Sequence, residues 1–201
     1  MKDRAPSLGA FVLRTLLWLP PCLGAWHFGG TFVADAGSAL ARLMLDALRP
    51  GLVETIERDG VDLVFVTTLA AKDASGQTGA LLATVDPQLY TFGLALFVAL
   101  MLAARVRAWM IVAGAALLVP FQAWSITFDF LAQLGIRSGA AVAAQAGLLG
   151  WRREAIALGY QVGALILPSL APVLLWVAFN RGFIDGLLRR PTRDGSATGE
   201  A

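Results

Sequence analysis

The sequence predicts an all-α membrane protein: four transmembrane helices, with a small α+β extracytoplasmic cap, an amphipathic helix plus a β-hairpin, between the first and the second. The main observation is a set of four uncharged, mostly apolar windows, Thr15 to Ala34, Pro87 to Ala104, Ala108 to Phe128 and Ala155 to Asn180, of 20, 18, 21 and 26 residues. Each is close to the ~20 helical residues that cross a hydrocarbon core roughly 30 Å thick. They are too long and too continuous for the alternating strands of a barrel, and lipid admits only barrels or helices. Composition agrees, with 57% hydrophobic residues and a mean hydropathy of +0.68. Soluble domains carry about 45–50% apolar residues even with glycine counted.

The first unit, residues 1–34, joins a basic N-terminal segment to the first helix. Lys2, Arg4 and Arg14 precede the apolar window, and Ala34-Asp35-Ala36 has the spacing of a signal-peptide cleavage site. The window carries Trp18, Pro20, Pro21, Trp26 and His27 and is longer than a signal's apolar core, so an uncleaved helix is expected.

The second unit, residues 35–86, forms the cap. Ala36, Leu40, Leu43, Met44, Ala47 and Leu48 recur at helical spacing, with Asp35, Arg42, Asp46 and Arg49 on the other side. This pattern predicts an amphipathic helix lying on the outer leaflet and stopped by Pro50-Gly51. Leu52 to Arg58 and Val61 to Leu69 are β-rich and flank Asp59-Gly60, which suits a type I′ hairpin turn; Ala71 to Gly79 reads as a polar loop and Ala80 to Val85 as a third strand. Eight acidic against four basic residues give the cap a charge of −4. Some fifty residues bury little alone, so the cap is expected to lean on the helices, the membrane or a partner.

The third unit, residues 87–181, holds helices two to four. Arg105-Val106-Arg107 joins the second and third helices, which forces an antiparallel hairpin. Residues 130–150, with four glycines and a run of alanines but one charge, Arg137, predict an interfacial segment packed through small residues rather than a fifth span. The remaining residues, 182–201, form a cytoplasmic tail that ends in a disordered stretch from Pro191.

With both termini and the Arg105 to Arg107 turn in the cytoplasm, nine basic residues fall in 38 inner positions and seven in 78 outer ones. That bias predicts both ends inside. The basic residues are dispersed around the spans, which excludes a nucleic-acid surface. One cysteine and one histidine exclude internal disulfides and argue against Cys- or His-rich metal sites. No cofactor motif appears.

Three functional classes remain. Cys22 and His27 would be the nucleophile and base of an intramembrane cysteine enzyme. Five residues along a helix turn them about 140° apart in projection, so they diverge unless the Pro20-Pro21 pair rotates one. Gln122, Tyr160 and Gln161, with Pro120, Pro168 and Pro172, give the third and fourth helices the polar, proline-broken character of a small transporter or lipid-binding protein. The third class is a non-catalytic accessory subunit.

Leu16-Leu17-Trp18-Leu19-Pro20, Asp86-Pro87-Gln88-Leu89-Tyr90-Thr91-Phe92-Gly93, and Gly159-Tyr160-Gln161 through Leu167-Pro168, Ala171-Pro172 and Trp176 to Asn180-Arg181 resemble the exosortase H-associated membrane protein family. The resemblance extends over most of the chain. It implies a bacterial inner-membrane protein acting beside an exosortase, a membrane cysteine transpeptidase-like enzyme that handles proteins with C-terminal sorting signals. The chemistry would then belong to the partner. Trp18, Pro20, Pro87, Tyr90, Gln122, Tyr160, Gln161, Pro168, Pro172, Asn180 and Arg181 are the candidate residues for a partner surface or groove, with the exosortase, a client's sorting helix and membrane lipids as the expected partners.

Overall fold

Pro20 and Pro21 do not end the first helix: α1 runs unbroken over Leu8–Leu48, 41 residues. At 1.5 Å per residue it is about 60 Å long, twice a hydrocarbon core. Proline inside a membrane helix is tolerated where neighbouring helices, Ser or Thr side chains or local helix adjustments satisfy the freed carbonyls. The computed structural model describes residues 8–72 and 78–188. The tail from Pro191 and the middle of the polar loop before Gly79 lie outside these residues.

The expected amphipathic helix is therefore the C-terminal half of α1, continuous with the apolar half and not a separate element. Gly29, Gly30 and Gly37, where the two halves meet, stay helical, and the helix ends only at Pro50-Gly51, where Gly51 takes φ +72°. The buried stripe also differs from the expected one. Gly37, Ala41 and Leu45 are buried, whereas Leu43 and Leu48 are exposed. Small residues win that face because they let α1 approach α4 (Ala108–Ala132) closely; a β-carbon on Gly37 would sit 3.3 Å from Ile126 Cδ1.

Beyond α1 comes an antiparallel meander of β1 (Val53–Asp59), β2 (Asp62–Lys72) and β3 (Thr78–Val85) in that order. Its first turn is Gly60-Val61 between the paired Asp59 and Asp62. Only Gly60 has positive φ there, so the turn is II′-like and one residue later than Asp59-Gly60 suggests. Leu63, Phe65 and Thr67 alternate inward along β2. Phe65 stacks on Phe130 of α4 at 4.6 Å, and the sheet shares one core with Leu45, Ile126, Leu134 and Ile156. Arg58 pairs with Asp35, and Arg42 donates to the Glu54 carbonyl at 3.0 Å, lashing β1 to α1.

Phe65→Ala should cost about 3 kcal/mol through the cavity it leaves. Thermal unfolding in detergent measures this, with the exposed Val61→Ala as the control that stays near wild type.

The second apolar window forms α2 (Gln88–Thr91) and α3 (Gly93–Ala103). Together they make a shorter apolar helix, while Leu8–Gly30, Ala108–Arg137 and Trp151–Phe179 are long and apolar enough to cross a membrane. Arg105, with φ +56°, turns the chain between α3 and α4. The segment 130–150 starts as a direct continuation of α4 through a π-turn, Gln133–Arg137, followed by α5 (Gly139–Gln145). Phe130, Leu131 and Leu134 are buried along with Ala143, Ala146 and Leu148, so this stretch packs through large apolar residues as well as small ones. The last apolar window is α6 (Trp151–Gln161), a π-turn Val162–Ile166 and α7 (Leu167–Phe179), followed by α8 (Arg181–Leu188).

Candidate functional site

Asp129 is the first charge after 21 uncharged residues of α4 and is only 6% exposed. A carboxylate held at the end of a span needs partners, because leaving it unpaired away from water is costly. Arg137 donates to Oδ1 at 3.2 Å, and Gln133 reaches Oδ2 at 3.4 Å. Tyr90 directs its hydroxyl to the same carboxylate from α2. The π-turn makes this arrangement feasible. Eight residues of α-helix would carry Arg137 about 80° past the Asp129 face, and the wider π-turn takes back much of that excess. The Arg137 guanidinium also lies over the Tyr160 ring at 5.0 Å, and Gln133 donates to the Thr84 carbonyl of β3 at 2.8 Å. One carboxylate thus ties α2, α4, α6 and the sheet together.

Below it, Tyr90, Gln122, Pro168 and Pro172 meet where α2, α3, α4 and α7 converge. The contact is close because Gly93 has no side chain: a β-carbon there would overlap the Pro168 carbonyl oxygen and approach Pro172 Cγ to 2.7 Å. The π-turn before Leu167 leaves carbonyls for α4 to satisfy. Ser125 Oγ sits 2.7 Å from the Gly163 carbonyl, and Trp124 donates to that of Gly159 at 3.1 Å. Gln122 Oε1 is buried without a hydrogen-bond partner among the described residues. The enclosed space is about 10 Å³, room for nothing larger than a water molecule.

A larger feature lies on the other side of α3. Between α1 and α3 runs an apolar groove of about 410 Å³ lined by Trp18, Cys22, Ala25, Trp26, Gly29 and Ala95, among others. Trp26 donates to Thr91 Oγ1 at 3.0 Å and fixes the end nearest α2. Cys22 packs against Ala95 and Ala99, while His27 is exposed beside Phe28. The unbroken helix keeps thiol and imidazole on different faces.

Of the other sequence candidates, Pro87 is buried at the start of α2, where Asp86 Oδ1 accepts the Gln88 N–H at 2.8 Å. Pro20, Gln161 and Arg181 are exposed, the first two away from both the seam and the groove. Asn180 is buried at the opposite end of the bundle, donating to the Trp176 carbonyl at 2.9 Å. Phe11 stacks on Trp176 at 5.1 Å, so the start of α1 and the end of α7 share that end. Tyr90, Gln122, Tyr160, Pro168 and Pro172 gather around the seam and its polar lid. Gln133 and Arg137 are the members of the lid that sequence reasoning did not single out, although the i, i+4 spacing of Asp129 and Gln133 was the available signal.

The model of the exosortase H-associated membrane proteins matches residues 5–183. The chain belongs to this family. An exosortase H-associated membrane protein is, by that description, a membrane protein associated with an exosortase, which agrees with the apolar helices and the resemblance in the sequence. No curated protein and no solved structure matches the chain. The match spans α1, the sheet and all the apolar helices, so the polar lid, the seam and the groove all lie within the family region.

Proposed function

We propose that this chain is a non-catalytic inner-membrane subunit that packs against an exosortase through the α1–α3 groove and helps present C-terminal sorting signals to it. The observation that carries this reading is the uneven burial of the spans. Only 11% of the first span's apolar window is buried by the rest of the chain, against 39% and 28% for the other two. Membrane helices associate through close packing at small residues, and the groove offers Cys22, Ala25, Gly29 and Ala95 between Trp18 and Trp26. Lipid chains fill such a groove without specificity; a partner helix fills it with shape.

In this reading the chain crosses the membrane four times with both termini in the cytoplasm. Gly37 of α1 packs on Ile126 of α4, so the outer halves of these two helices lie side by side and the chain must return between them. The α2–α3 helix supplies that return, with local thinning of the bilayer accommodating its shorter length. The sheet then stands outside, and the closed seam at Gln122 argues for a rigid scaffold over a transport path.

Ala25→Trp tests the groove, because Ala25 is exposed and its replacement fills the groove without touching the chain's own core. Affinity capture from native membranes is expected to recover the exosortase with the wild-type chain and at least tenfold less with the variant, an effect of about 1.4 kcal/mol. Equal recovery from both, or recovery from neither, contradicts the proposal.

A further inference from the structure

Apart from the α1–α3 groove, with which it shares no lining residue, a cavity of about 260 Å³ opens between the end of α1, α4 and α6. Its floor is apolar: Phe128, Leu131, Leu148 and Ile156. Its rim carries two cations. Arg49 lays its guanidinium flat on Gly147, so that a β-carbon there would meet Nη2 at 2.7 Å, and Arg152 donates to the Gly147 carbonyl at 3.1 Å. Two like charges are thus brought onto one residue. Among the described residues neither forms an ion pair: Asp46, the acidic residue nearest Arg49 in sequence, pairs with Arg42, and Glu154, two residues from Arg152, pairs with neither. Gly147 holds φ +64°, a conformation that suits glycine and leaves the space that Arg49 occupies.

The depth of the cavity identifies its occupant. Phe128 ends the uncharged run of α4 and Asp129 follows it, so the floor lies at the boundary of the hydrocarbon and the rim at headgroup level. Trp151, 75% exposed at the rim, has the wet-edged aromatic surface that favours this level, and the Arg152 guanidinium lies 5.9 Å from its ring centroid. We propose that this cavity binds one anionic phospholipid, its phosphate between Arg49 and Arg152 and the start of an acyl chain on the apolar floor. An anion between the two guanidiniums offsets their mutual repulsion and accepts the donors that no carboxylate among the described residues takes.

The test is native mass spectrometry of the full chain released from mixed micelles of phosphatidylglycerol and phosphatidylethanolamine. Wild type is expected to retain phosphatidylglycerol in preference to phosphatidylethanolamine. Arg49→Gln and Arg152→Gln should each lower that retention about fivefold. Arg153→Gln, which removes a neighbouring charge outside the cavity lining, should leave it unchanged. Ala155→Phe occupies the cavity from an exposed position and should displace the lipid without disturbing the core, so a folding failure of the arginine variants does not decide the matter. Equal retention of the two lipids, unchanged retention in Ala155→Phe, or displacement of phosphatidylglycerol by inorganic phosphate overturns the proposal; the last result would mark an anion site with no lipid specificity.

Discussion

Gly93→Val is expected to lower stability by about 3 kcal/mol, at the upper end of overpacking penalties, because the obstacle is backbone and not a movable side chain. A β-carbon on Gly93 would overlap the Pro168 carbonyl oxygen, with Pro172 Cγ at 2.7 Å closing the other escape. The clash pushes α3 off α7 exactly where the seam joins the shorter helix to the longer ones, so the hairpin of α3 and α4 loses its register on α7 as well. Differential scanning fluorimetry of detergent-solubilised protein reads the loss. Gly24→Val, in a helix position with no heavy atom within 4 Å of the new β-carbon, should stay within about 0.5 kcal/mol of wild type. Equal unfolding temperatures for the two variants would mean that the seam is not the tight joint described above.

Asp129→Ala is expected to cost about 2 kcal/mol. It removes the acceptor used by Arg137, Gln133 and Tyr90 together. The loss stays below that of a fully buried pair because the Arg137 side chain is 51% exposed and rehydrates once released. Arg137→Met in the Asp129→Ala background should then add little, giving a coupling of about 1 kcal/mol in a double-mutant cycle. Additive losses would contradict the pairing. Proteolysis in the sheet offers a second readout, since Gln133 links this carboxylate to the Thr84 carbonyl of β3.

The apolar helices were legible in the sequence because uncharged length is a direct consequence of the solvent. The segment 130–150 reads in the sequence as one interfacial piece, whereas its first residues carry on from α4 through the π-turn and only Gly139–Gln145 forms a helix of its own. The continuity of α1 was not legible. An amphipathic stretch from Asp35 to Arg49 has the same periodicity whether it lies flat or carries on from a span, and only tertiary contact decides. Ranking residues by hydrophobicity placed that stretch's buried stripe only in part: Leu40 and Met44 pack against the core, but Leu43 and Leu48 are exposed, and Gly37 and Ala41 bury well for a reason hydrophobicity does not score, that they bring backbones together. The turn at Gly60-Val61 was displaced by one residue since a single positive-φ glycine serves a II′ turn as well as Asp-Gly serves I′.

The candidate site was half visible. Tyr90, Gln122, Tyr160, Pro168 and Pro172 stood out as polar or helix-breaking residues in apolar surroundings, and they do converge around the seam. Arg137 could not be matched to Asp129 from spacing, because an offset of eight residues lies off the α-helical face and the π-turn that narrows the gap leaves no mark in hydropathy. The groove was invisible for a different reason. It is defined by what is missing from α1, a neighbour on the face of Ala25 and Gly29, and a sequence does not record which faces remain uncovered.

Photo-crosslinking in living cells tests the central claim most directly. A photoreactive amino acid replaces Gly29 in the groove or, as the comparison, Val112 on the exposed face of α4, which is 70% exposed. The account predicts a covalent adduct containing the exosortase from position 29 and none from position 112. Adducts from position 112 alone, or of equal yield from both positions, would contradict it.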